Sequence, residues 1–278
     1  SRRIGIGPSG EEVPIDWGAR VTGRIGEWNL GLLDVQTGDA ETLSGSGELP
    51  STNFGAMRVS RNLGERSTVG MIYTQRHEDG EASRAFGLDL HLRPSKQFAV
   101  DAYGSVTDGT RPGAESDWSA GLLTTYNGKA WHAQAGWVRI GEDFDPQMGF
   151  LLTRGVNRYN GRVTYEPWPA WRSVMNLHFE LDGQVYTGID GKTQTEEYRL
   201  DLFGLRTKSA AEAKVFVIQT YDALESPFTI APGVVIPVGD YRFNAAGLSL
   251  LTHSSRPVSV EAQLLAGEFY DGHRQSGN

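Results

Sequence analysis

The sequence predicts an all-β, antiparallel up-and-down transmembrane β-barrel. Three observations lead there: apolar and polar residues alternate with period two along most of the chain, the alternating runs reach about ten residues, and the connections between them alternate between short and long. Strands of roughly that length cross a bilayer obliquely, whereas strands of soluble sheets are typically about five to six residues. The competing architecture is a soluble sandwich or propeller, which also has period two; run length decides against it.

In the first element Ile15, Trp17, Ala19, Val21, Gly23 and Ile25 alternate with Asp16, Gly18, Arg20, Thr22 and Arg24. The pattern returns in Phe86 to Leu92 and in Phe98 to Val106. Tyr159 to Tyr165, Met175 to Leu181, Tyr198 to Leu202 and Val258 to Leu264 repeat it. Weaker runs near 28–37, 54–63, 67–77, 117–127, 130–141, 211–224 and 240–253 bring the expectation to about fourteen strands. Short turns fall at 26–27, 64–66, 93–96, 127–129, 167–170, 207–210 and 254–256, several carrying the Gly, Pro or Asn that tight hairpins need. Longer polar connections fall at 38–53, 78–83, 108–116, 142–156, 188–193 and 225–239.

Size then assigns the faces. Eight strands already make a barrel whose interior side chains just fill, so about fourteen would leave a wide lumen, and the apolar face must point outward into lipid. The tryptophans, Trp17, Trp28, Trp118, Trp131, Trp137, Trp168 and Trp171, lie mostly near strand ends, as girdles at a membrane interface do.

Composition narrows the function classes. With 26 Lys+Arg against 34 Asp+Glu the 278-residue chain carries a net charge of −8, which argues against a nucleic-acid partner bound through a basic face. Absence of cysteine excludes disulfides, thiolate zinc sites and cysteine nucleophiles. No apolar run approaches the ~18 residues of a membrane helix. Ser1-Arg2-Arg3 is neither an initiator Met nor a signal peptide, and 271–278 read as an unfinished loop. Residues 1–278 are therefore expected to form a single barrel segment of a longer protein.

No catalytic constellation emerges. Gly5-Ile6-Gly7-Pro8-Ser9-Gly10 has dinucleotide-binding spacing but lacks the strand before and the helix after it. The histidines show no metal-ligand spacing, so neither metal nor cofactor is expected. On the polar faces, Arg20, Arg24, Asp89, His91, Asp101, His132, Arg158, Arg162, His178, Glu180, Asp182, Arg199, Asp201 and Glu261 are expected to line the lumen. Glu142, Asp143 and Asp145 form the densest carboxylate cluster, expected on a solvated loop at the elaborated end.

Two stretches carry a family resemblance. Ser1-Arg2-Arg3-Ile4-Gly5 ahead of the first strand, and Gly141-Glu142-Asp143-Phe144-Asp145-Pro146-Gln147-Met148-Gly149-Phe150-Leu151 closing a later one, resemble the bacterial barrel family called domain of unknown function 5916. The likeness covers most of the chain. In that family the barrel commonly follows a module similar to family 9 carbohydrate-binding modules. The resemblance implies a bacterial outer-membrane location, outer-membrane lipid as partner and saccharides as cargo, and it supplies no catalytic residues. Residues 1–278 are expected to be the barrel segment without that module and without the aromatic-ended last strand of a complete barrel.

Overall fold

The computed structural model describes residues 4–43, 45, 47–108, 116–253 and 259–278. The Ser1-Arg2-Arg3 wording, most of the 108–116 connection and the 254–256 turn lie outside them. Nineteen strands follow in chain order: β1 (Ile15–Ile25), β2 (Trp28–Thr37), β3 (Ala40–Glu41), β4 (Glu48–Leu49), β5 (Thr52–Leu63), β6 (Ser67–Glu78) and β7 (Glu81–Leu92). Then come β8 (Phe98–Asp108), β9 (Asp117–Asn127), β10 (Trp131–Ile140), β11 (Val156–Tyr165), β12 (Val174–Gly188) and β13 (Thr193–Thr207). The last are β14 (Glu212–Leu224), β15 (Phe228–Ala231), β16 (Val234–Ile236), β17 (Gly239–Leu251), β18 (Glu261–Phe269) and β19 (Gly272–Gly277). Among the described residues there is no helix.

Fifteen of these strands form one meandering sheet in the order β1-β2-β5-β6-β7-β8-β9-β10-β11-β12-β13-β14-β17-β18-β19, while β3–β4 and β15–β16 are separate two-stranded ribbons. The architecture is all-β and antiparallel. The sheet is not closed: β1 and β19 end the order without pairing to each other. The fold divides into two compact units, one of Ser1–Ser95, Ala99–Leu122 and Val138–Val156, the other of Lys96–Phe98, Leu123–Trp137 and Asn157–Asn278.

Two expectations about connections need correction. The 78–83 segment is no long loop: Glu78 pairs with Glu81, and Asp79 and Gly80 turn the chain with φ of 49° and 82°, the two positive dihedrals of a primed hairpin turn. The terminal 271–278 segment is no loop either, because β19 pairs with β18 from Leu264↔Gly277 to Phe269↔Gly272. The connections at 38–53 and 225–239 fold into the β3–β4 and β15–β16 ribbons.

Large apolar side chains stand exposed along the strands while several polar ones are buried beside a small apolar core of Val35, Phe54, Phe144, Val156, Phe216, Ile236 and Phe243. Val21, Leu88, Leu181 and Leu264 are 63%, 54%, 52% and 58% exposed, while Thr37, Thr107, Ser119 and Asp201 are 2%, 1%, 2% and 2% exposed. Cross-strand register carries the alternation from strand to strand: Leu88 sits opposite Gly104 while Asp89 opposes Tyr103 and Gly70, and Leu181 opposes Leu200 while Asp182 opposes Arg199. In the second unit the apolar face bears an aromatic row near the short-turn ends of four strands. Trp131 stacks on Tyr165 at 4.4 Å, Tyr165 on Phe179 at 6.2 Å, and Phe179 meets Phe203 edge-on at 6.0 Å.

Candidate functional site: the polar face of the sheet

The second unit concentrates its charge around His178. Hairpin register brings His178 opposite Gly204, Glu180 opposite Asp201 and Asp182 opposite Arg199, so three polar-face pairs stack along β12 and β13. A bulge between Asp201 and Phe203 turns Leu202 and Phe203 both to the apolar side and keeps the polar register intact. Gly204 makes the cluster possible, because a Cβ there would lie 3.1 Å from both His178 Cβ and Lys214 Cγ.

His178 Nδ1 lies 2.9 Å from Glu166 Oε1; its Nε2 lies 3.2 Å from both Asp201 Oδ2 and Lys214 Nζ. Two arrangements satisfy this geometry. An Nε2–H donates to Asp201, or a bare Nε2 accepts from the Lys214 ammonium, which then bridges to Asp201 at 3.5 Å. The other oxygen of Asp201 accepts from Arg199 Nε at 2.7 Å, and the Arg199 guanidinium lies 3.8 Å over the ring of buried Phe216. Beside this centre, Arg162 Nε donates to Asp182 Oδ2 at 2.8 Å and approaches Glu180 at 3.7 Å, while Thr164 Oγ1 donates to Glu180 at 2.8 Å. Two buried atoms nearby in sequence, Arg158 Nε and Asn176 Oδ1, have no hydrogen-bond partner among the described residues.

His178, Glu180 and Asp201 offer ligand atoms within 4.8 Å of one another, which is dense enough for a metal ion. The donors are already engaged, however. Lys214 stands against two of them, Arg199 holds Asp201, and Thr164 and Arg162 hold Glu180. A divalent ion entering there would meet a tethered ammonium, so the cluster reads as an internally paired ion network rather than a metal centre.

In the first unit the polar face is held differently. Arg58 grips Asp89 with two bonds of 2.8 Å, and Asp101 receives His91 Nδ1 and, at 3.4 Å, Arg93. Arg76 pairs with Glu78 and Arg139 with Asp117, and the N-terminal segment adds main-chain cover. Residues Gly5 to Val13 turn back on themselves through Gly7 N–H to Glu11 O at 2.8 Å and Val13 N–H to Gly5 O at 3.0 Å. Buried Glu11 accepts from the backbone N–H groups of Ser9 at 2.9 Å and Leu43 at 3.4 Å. Such bonds, led by that of its own backbone N–H, hold its carboxyl below the usual range against the opposing effect of burial. The Gly5–Gly10 glycine motif thus serves a turn and no nucleotide cradle, since no helix follows it.

The loop carboxylates depart from expectation. Glu142 is exposed, but Phe144 and Asp145 are buried at 4% and 8% exposure. Asp145 pairs with Arg154, accepts from Gln147 Nε2 at 2.7 Å, and its N–H donates to Thr107 Oγ1 at 3.2 Å. The N–H of Asp143 donates to Asp117 at 3.0 Å. The apolar Phe144 pulls the segment inward, and Arg154 neutralises the carboxylate it carries along.

Of the sequence-singled residues, the structure gathers His178, Glu180, Asp182, Arg162, Arg199 and Asp201 into one network, and Asp89, His91 and Asp101 into ion pairs of the first unit. Arg20, Arg24 and Glu261 stay exposed on β1 and β18, and His132 reaches only Asn127 Oδ1 at 3.3 Å. Glu166, Thr164, Lys214 and Phe216 were missed by sequence reasoning. Lys214 and Phe216 alternate on β14, a weak run in the sequence, and Glu166 follows the end of β11.

A scan against protein-family models, a search of curated proteins and a search of solved structures each find no match to this chain.

Proposed function

We propose that the chain is the membrane-spanning part of a bacterial outer-membrane β-barrel protein, acting as a non-enzymatic conduit or anchor in saccharide handling. One observation carries the reading: many large apolar side chains along the long strands, among them Val21, Leu88, Leu181 and Leu264, are half or more exposed, while polar Thr37, Thr107, Ser119, His178 and Asp201 are buried beside a few apolar residues such as Phe54 and Phe216. Water cannot stabilise that exposure; hydrocarbon can, and it would also leave no room for unpaired backbone, so the edges of the sheet must be paired in the membrane. The aromatic row Trp131–Tyr165–Phe179–Phe203 fits an interface girdle. The saccharide element rests on the resemblance described above. Asp145 is buried and held by Arg154, so it is not open to act beside Glu142 in glycoside cleavage, which supports the non-enzymatic reading.

The test is folding into liposomes whose acyl chains are brominated. Exposed Trp131 and Trp118, near opposite strand ends, should lose fluorescence when bromines lie shallow, and less when they lie at the midplane. A chain that stays monomeric and folded without detergent or lipid, with its fluorescence unquenched, sinks the membrane assignment.

A further inference from the structure

Within the first unit, the folded-back N-terminal segment, the β4 end and the loop after β10 enclose a cavity of about 470 Å³ on the polar face. That size lies within the range of small-molecule sites, about 300–1,000 Å³. Its construction is two-sided. One wall is the N-terminal segment and the β4 end, with Ile6, Pro8, Leu49 and Pro50. The close approach of the N-terminal segment that forms this wall needs glycine, since a Cβ on Gly7 would lie 2.7 Å from Leu49 Cδ1. The other wall is the sheet, where Phe54 sits directly across from Arg76 and Thr52 from Glu78, with Arg76 and Glu78 paired to each other; Gln147 lines the same space. Thr52 Oγ1 steadies Glu78 with a bond of 2.6 Å, and Asp145 holds Gln147 through its Nε2. Arg76 and Glu78 nonetheless keep 31% and 29% of their side-chain surface accessible.

We infer that this cavity is a binding site for a neutral saccharide. An adjacent guanidinium and carboxylate cancel in net charge, which disfavours charged ligands, yet together they offer five-donor and acceptor-only chemistry side by side. A vicinal diol matches that pair, one hydroxyl donating to Glu78 and its neighbour accepting from Arg76. The carbon face of a sugar ring then lies against Phe54 and Leu49, burying apolar C–H surface as the polar rim is satisfied. The side-chain amide of Gln147, fixed by its bond to Asp145, faces the same space. The inference deepens the saccharide part of the function proposed above and rests on it, although the cavity lies outside the His178 network.

Isothermal titration of the folded protein in detergent micelles tests it, with maltose and cellobiose as neutral probes, glucuronate as a charged one, and 1,5-pentanediol as a polyol without neighbouring hydroxyls. A neutral disaccharide should bind with a dissociation constant of ~1 mM or tighter, and glucuronate and the pentanediol at least ~10-fold more weakly. Phe54→Leu and Glu78→Gln should each weaken the disaccharide ~10-fold, whereas Asp89→Asn on another part of the face should leave it unchanged. No heat from either disaccharide at ~50 mM, or equal binding by both pocket variants and the parent, overturns the inference. Membrane insertion measured on the same preparation separates the outcomes: inserted protein that binds no sugar removes the pocket and leaves the barrel standing, while protein that neither inserts nor binds removes both.

Discussion

The two units face the same problem, a sheet whose buried side is polar, and meet it by different means. In the second, side chains answer side chains: Arg162, Arg199 and Lys214 are threaded among Glu166, Glu180, Asp182 and Asp201, with His178 at the junction. In the first, much of the answer is backbone, because the Gly5–Val13 segment caps the Glu11 carboxylate with N–H groups and the loop after β10 offers Asp145 the N–H-to-Thr107 bond and an arginine from its own length. The difference has a consequence for function. Interlocked charges brace one another across the strands, whereas the folded-back segment leaves a shaped cavity beneath it.

Breaking the side-chain solution should cost most. Asp201→Ala removes the carboxylate that Arg199, Lys214 and His178 share, stranding two cations beside a buried position, and should destabilise the folded protein by about 3–5 kcal/mol in a urea titration in liposomes. A loss below about 1 kcal/mol would mean that water already screens the network, as at a surface pair. On the opposite face of the neighbouring strand, Leu181→Arg should cost about 2–4 kcal/mol in lipid, and Asp182→Asn, whose partner Arg162 is half exposed, under about 1 kcal/mol. Equal costs at 181 and 182 would erase the distinction between the faces. The backbone solution should be softer: Asp145→Ala leaves Arg154 unpaired but keeps the segment's main-chain bonds, and should cost about 1–3 kcal/mol with loss of protease protection confined to the loop after β10.

How much of this was legible in the sequence follows from what period two can encode. Alternation in Ile15–Ile25, with the weaker run at 28–37 beyond the Gly26-Glu27 turn, gave strands with the bounds the structure has. It could not give the ion network, since partners on different strands meet only through register: the pairing of Asp201 with Phe216 and Gly204 with Lys214 depends on the bulge at Phe203, which no local pattern announces. The Asp79-Gly80 turn was legible as an Asp-Gly dipeptide but was hidden by the polar residues around it. The burial of Asp145 was illegible for another reason. Carboxylates in a loop ordinarily read as solvated, and its counter-ion Arg154 lies nine residues on, outside any local pairing rule.

The smallest effects should appear at opposite ends of the pH scale and separate the two units. In the first, Glu11 has its carboxyl held below the usual range by backbone N–H groups, so the folded form releases its proton more readily than the unfolded one. That contribution is complete above the unfolded value of 4.5 and is lost as the pH falls through the lower folded value. In the second, the Tyr270 phenol, half-buried in the turn after β18 and donating to Asp222 at 2.6 Å, is pushed up to about 12 by desolvation first and by the Asp222 carboxylate next. The sign is opposite. Tyr270 holds its proton more tightly when folded, so its contribution is complete below the unfolded value of 10 and is lost between pH 10 and about 12. Hydrogen-exchange mass spectrometry across both ranges should therefore show the Gly5–Val13 segment loosening in acid while the β18–β19 turn holds, and the reverse in alkali. Glu11→Gln should flatten only the acid limb and Tyr270→Phe only the alkaline one. If either variant flattened both limbs, the two units would be responding as one cooperative body, and the contrast between a backbone-capped and a side-chain-paired polar face would have no independent energetic meaning.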